Sequence, residues 1–132
     1  MSAYTIKNLK TDVEDFAVGG GMSPQFEARF AREPLECEQG AVGYFKFAAG
    51  MRAPFGHSHK QQEEIYVVAT GGGRVKLDDD IHDVVQWDTL RVANSTVRAF
   101  EAGPDGMELI VFGAPMTGPG DGELLMGWWE GD

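Results

Sequence analysis

From Phe26 to Ala114 the chain is cut into short apolar runs, each closed by glycine or by a cluster of Gly, Pro, Asp and Asn, and no window carries the apolar spacing of a long helix. Short runs with two-residue alternation read as strands, and the clusters between them as turns. Phe26 to Ala31 alternates apolar and charged residues, as a half-buried strand does. Val42 to Ala48 carries aromatic residues on both faces, which suits a strand inside a sandwich or at a subunit contact. From Glu64 to Leu77 two runs meet at Gly71-Gly72-Gly73, and Asp78-Asp79-Asp80 is a hairpin turn. Val84 to Val92, Val97 to Glu101 and Met107 to Ala114 are further strands, the last two separated by Gly103-Pro104-Asp105-Gly106. The pattern gives an all-β sandwich or barrel.

The flanks are less informative. Thr11-Asp12-Val13-Glu14-Asp15-Phe16 reads as one helical turn capped by Thr11, inside an N-terminal arm that wraps the barrel. After Gly113 the tail is rich in Gly and Pro and ends in Trp128-Trp129, whose apolar area must dock on the barrel or on a second subunit.

A chain of 132 residues is the size of one domain, so residues 1–132 are expected to form a single unit. Its formal charge of −10 argues against a nucleic-acid partner, whose phosphates require a cationic surface. No window is apolar enough to cross a bilayer, and the start Met1 to Asn8 lacks a signal-peptide core, so no membrane partner and a cytoplasmic location are expected. Cys37 is the only cysteine; flanked by Glu36 and Glu38, it reads as structural or incidental. The Asp78–Asp80 cluster lacks the alternating acids, glycine and distal glutamate of a calcium loop, and His82 beyond it reads as a surface histidine.

Chemistry concentrates between Gly50 and Gly71. Two of the three histidines, His57 and His59, stand two positions apart, and in an extended chain such residues project from one face. Two carboxylates, Glu63 and Glu64, follow within reach. His57 and His59 are odd and Glu64 even, so a turn or bulge within Lys60-Gln61-Gln62-Glu63 is needed for convergence.

The stretch resembles the first motif of the cupin superfamily, a glycine, His-x-His, a glutamate three or four residues on, and a glycine after six more. Glu64 is followed by six residues and then Gly71, which selects it over Glu63; six residues separate Gly50 from His57, where the family more often has five. The resemblance implies a double-stranded β-helix, the cupin or jelly-roll barrel, over residues 41–114. It also implies His57, His59 and Glu64 as ligands of a divalent transition metal such as Fe, Mn, Ni or Zn. Cupins commonly pair, which makes a homodimer the expected assembly.

The second cupin motif is degenerate. Asp88 is present, while the motif's glycine, proline, second glycine and histidine stand as Trp87, Ala93, Ser95 and Arg98. If the histidine position faces the cavity, Arg98 does too. A divalent ion and a guanidinium roughly 5 Å apart repel by about 6 kcal/mol at an effective dielectric of about 20. Glu64 offsets much of that, and two imidazoles with one carboxylate form a sufficient set without a fourth protein donor.

The leading expectation is therefore a cupin barrel that binds a small polar or anionic organic molecule, with or without metal. If the chain is an enzyme, the resemblance implies metal-dependent dioxygenase (oxygenase), isomerase or decarboxylase chemistry. The catalytic candidates are Glu64, Tyr66 and Arg98, with Arg98, Tyr66 and Phe100 on the substrate. Two alternatives remain open: a metal-free, catalytically silent binding or sensing module with a Glu64–Arg98 pair in its cavity, and a metal-free acid–base enzyme using a histidine and Glu64.

Overall fold

The computed structural model describes residues 3–114 and 121–132. Among the described residues, one short helix, α1 (Phe16–Gly19), precedes eight strands: β1 (Phe26–Phe30), β2 (Ala41–Phe47), β3 (Phe55–His59), β4 (Glu64–Leu77), β5 (Asp80–Val85), β6 (Thr89–Val92), β7 (Arg98–Gly113) and β8 (Gly122–Met126). All pairings are antiparallel. The path β1-β2-β7-β3-β8 is joined to β5 and β6 through β4, which also pairs with β7, and the curled result is a jelly-roll barrel.

Two expectations about turns are corrected. Gly71-Gly72-Gly73 joins its two runs into one 14-residue strand, and Gly103 to Gly106 lies inside the 16-residue β7 rather than between two strands. The reason is that these tracts face each other. Gly71 pairs with Met107 and Gly73 with Ala102, so the extra residues on β7 leave the register as a bulge while pairing continues on both sides. Backbones approach closely here: a Cβ on Gly71 would stand 2.1 Å from the Gly106 carbonyl oxygen, and one on Gly73 2.0 Å from that of Glu101. Glycine at these positions bends both long strands at one corner.

The expected cap is also displaced. Asp15 caps α1 through a 3.0 Å bond from the Ala17 N–H, and the same carboxylate oxygen accepts from Ala28 on β1. Thr11 instead lies in a turn whose N–H groups are taken by the Asn8 side chain. Asparagine two or three residues ahead competes well for these donors. The arm is tied down further by Lys10, which pairs with Glu27 at 2.8 Å.

The Asp78 turn forms as expected, with Leu77 paired to Asp80 and Asp78 at a φ of 51°. His82 is exposed on β5. Val84 to Val92 divides into β5 and β6 around Trp87, whose φ of 75° is the left-handed conformation natural to glycine. The Gly- and Pro-rich tail falls, for residues 115–120, outside the described residues; beyond it, β8 pairs along the whole of β3. No sequence pattern marks this strand, because all five residues of β8 are exposed and lack alternation.

Inside the barrel the core runs without interruption from Phe47 through Tyr66, Val68, Val75, Phe100, Met107 and Leu109. Each buried aliphatic or aromatic side chain contributes about 1.5–3 kcal/mol. Trp129 docks on the barrel, with the Arg52 guanidinium 4.6 Å from its ring centroid. Trp128 packs against Gly56, where a Cβ would meet its ring at 2.7 Å.

Candidate metal and ligand site

His57 and His59 project from β3 onto one side, their rings edge to face with centroids 5.3 Å apart. Glu64 and Tyr66 stand at the start of β4, on the face that also carries the core. The loop 60–63 between them restores the parity, and it is held in shape from outside. The Asp121 carboxylate accepts the Gln61 N–H at 2.9 Å and the Gln62 N–H at 3.3 Å, while its carbonyl accepts the Lys60 N–H at 2.8 Å.

One oxygen of Glu64 is the focus of the site. Oε1 lies 3.2 Å from His59 Nε2 and 3.6 Å from His57 Nε2, and it accepts the Tyr66 hydroxyl at 2.7 Å. One ligand atom from each of His57, His59 and Glu64 falls within a mutual 4.8 Å. Burial pushes the Glu64 pKa up, but donation from His57, His59 and Tyr66 outweighs it and holds the carboxyl well below the usual range. Tyr66 moves the other way: burial and then the Glu64 charge raise its pKa, so the hydroxyl keeps its proton and donates.

His59 is held at both nitrogens, with Nδ1 3.0 Å from Asp121 Oδ2. When Nδ1 donates to Asp121, Nε2 turns a lone pair toward an ionised carboxylate. That pair of acceptors requires a cation between them, either a proton on Nε2 or a metal ion. The donor set therefore fits a divalent ion, with Asp121 in the outer position that fixes the tautomer of a ligating histidine.

Arg98 is fully buried and does not line the cavity. Its Nη1 donates to the His57 carbonyl at 3.4 Å and its Nη2 to the Ala93 carbonyl at 2.9 Å, tying the 93–96 turn to the histidine strand. Nη1 stands 3.9 Å from Glu64 Oε1, an ion pair without a hydrogen bond. Asn94 completes this brace, its carbonyl accepting the His59 N–H at 2.7 Å and its side chain donating to the Lys60 carbonyl at 2.8 Å.

The site opens into a cavity of about 780 Å³. Tyr66 and Phe100, with ring centroids 5.0 Å apart, form one wall, and Phe26, Phe45 and Phe47 contribute another. Asp121 is the residue that sequence reasoning missed. It follows the Gly/Pro tract without spacing or alternation to mark it, and only the β3–β8 pairing carries it to His59.

No protein-family model matches the sequence, and no curated protein does. Solved structures do. A cupin protein from Bacteroides fragilis is 24% identical, with 89% of this chain and 88% of that one aligned at a TM-score of 0.70. A sugar phosphate isomerase of the cupin superfamily from Silicibacter pomeroyi is 13% identical over 78% of this chain and 77% of its own, at 0.63. A salicylate 1,2-dioxygenase from Pseudaminobacter salicylatoxidans is 14% identical over 75% of this chain and 30% of its own, also at 0.63.

Proposed function

We propose that this chain, a cupin by fold, binds a small organic molecule inside its barrel beside a divalent transition metal held by His57, His59 and Glu64. The observation that carries the reading is the convergence of two imidazoles and one ionised carboxylate at a cavity able to admit a ligand. Such a metal supplies Lewis acidity or oxygen activation to whatever binds beside it. The protein's own groups do the rest. Asp121 sets the tautomer of His59, the Tyr66 hydroxyl orients Glu64, and Arg98 fixes the backbone of His57. Tyr66 and Phe100 keep water from one side of the site. Isomerase and oxygenase activities, named for two fold neighbours, are the first to assay.

A homodimer is part of the proposal. Ile65 and Phe112, paired across β4 and β7, are exposed apolar residues on the sheet exterior. Light scattering of the purified chain tests this.

One observation favours a second reading, a metal-free binding or sensing module: Glu64 already has donors in Tyr66 and His59, with Arg98 at 3.9 Å. Metal analysis of untagged protein separates the two. Near-stoichiometric metal that disappears in His57→Ala supports the metal reading. A metal-free parent with metal gained in Arg98→His supports the module.

A further inference from the structure

We infer that the ligand of this cavity is a neutral aromatic molecule carrying one hydroxyl-type polar group, an inference that rests on the metal and ligand site proposed above. The expectation of a small polar or anionic ligand came from placing Arg98 in the cavity, and Arg98, at 0% exposure, has no surface to offer. The wall that a ligand meets is aromatic instead. Alternation on β1 and β2 turns Phe26, Phe45 and Phe47 to one face, with Phe26 stacked on Phe45 at 5.8 Å and 15° and set edge-on to Phe47 at 5.0 Å. Val111 on β7 lines the same cavity, and Phe100 stands across it with Tyr66. Phe26 and Phe45 remain only half-buried although they pack on each other, so ring surface is left facing the cavity. Flat apolar matter is what such a surface accepts, by stacked or edge-on packing.

Charge narrows the class. Among the described residues lining the cavity, the one guanidinium is that of Arg32, whose Nη2 is 3.4 Å from the Ala114 carbonyl, whereas Glu14, Glu33, Glu64 and Asp121 are acidic. Glu14 and Glu33 are exposed at the cavity lining, and an anion beside them meets repulsion that Arg32 alone does not cancel. Beside the histidines the group on offer is the Glu64 carboxylate, which accepts hydrogen bonds, or a metal with open positions held by His57, His59 and Glu64. A hydroxyl satisfies either arrangement, donating a proton to an acceptor or giving an oxygen lone pair to a metal.

The test uses the full-length protein as purified, its metal content measured, with 4-fluorophenol, 4-fluorobenzoate and glucose 6-phosphate as probes. Fluorine NMR reports the first two and titration calorimetry all three. The expected result is binding of 4-fluorophenol at least about tenfold tighter than either anion, weakened about tenfold by Phe45→Ala, the scale of one lost aromatic contact. Phe26→Leu, which keeps bulk and the fold, weakens it in the same direction. Tighter binding of 4-fluorobenzoate or glucose 6-phosphate, lost in His59→Ala, overturns the aromatic class and leaves the site reading standing. Retained metal with no probe bound also overturns the class alone. Absence of both metal and probe binding overturns the two together.

Discussion

His59 and Asp121 meet side chain to side chain, Nδ1 3.0 Å from Oδ2, although 62 positions separate them in the chain. Asp121 is buried, and its two oxygens serve both the imidazole and the loop that delivers Glu64. The carboxylate therefore fixes one ligand's tautomer and another ligand's position. Asp121→Asn keeps the size but reverses the hydrogen bond that it offers the ring. Metal affinity is expected to fall by about 10–100-fold, the usual effect of losing such an outer partner. Competition with a chromogenic chelator measures it, with circular dichroism confirming the fold.

Glu101 sits between two guanidinium groups, 2.6 Å from Arg52 Nε and 2.8 Å from Arg74 Nε, and both arginines lie against Trp129. Burial pushes its pKa up, but the bonds from Arg74 and Arg52 outweigh that and lower it. A lowered folded-state pKa means stability that is fully present above the unfolded value, about 4.3, and lost as pH falls through the folded value. Glu101→Gln is expected to be less stable than the parent by about 0.5–1 kcal/mol at neutral pH, since the group is partly solvated. Urea denaturation at pH 7 and at a series of acidic pH values should show that difference shrink toward zero below pH ~4.

Trp87 holds a φ of 75° while 70% exposed, so it bears the cost of a left-handed residue and buries little in return. Trp87→Gly relieves about 1–2 kcal/mol of backbone strain, part of which is offset by the greater freedom of glycine in the unfolded chain. A net gain of about 0.5–1 kcal/mol is expected, visible as a higher urea midpoint at unchanged slope.

Gly73→Ala tests the corner where the two long strands bend. The new methyl would stand 2.0 Å from the Glu101 carbonyl oxygen, a backbone atom that cannot swing aside. Destabilisation of about 3 kcal/mol is expected, at the upper end of ordinary overpacking. The same substitution at Gly19, where a Cβ meets nothing within 4 Å, should cost far less and serves as the control.

The local devices of the site were legible because they depend on residue type and spacing. The His57-x-His59 pair needs only the period of a strand, and the loop before Glu64 follows from parity. The resemblance to the second cupin motif likewise implied a glycine position where Trp87 stands, which its φ of 75° fits. Reading failed where the partner strand decided the outcome. Gly103 to Gly106 carries every local sign of a turn, yet pairing with β4 on both sides keeps the chain running as one strand. Likewise β8 has no pattern of its own and exists because β3 offers it an edge.

Arg98 marks the boundary most clearly. Its match to the histidine position of the second cupin motif aimed it at the cavity; in the folded barrel it spends its donors on the carbonyls of His57 and Ala93 and leaves the cavity to aromatic rings. Sequence by itself determined an all-β sandwich or barrel with two histidines on one strand face, because alternation and turn chemistry are properties of neighbouring residues, and the resemblance to the first cupin motif added Glu64 to them. Which groups surround that cluster was settled only by tertiary structure. Hydrogen-bond partners and cavity walls come from strands far apart in the chain, and no local preference encodes which of them will meet.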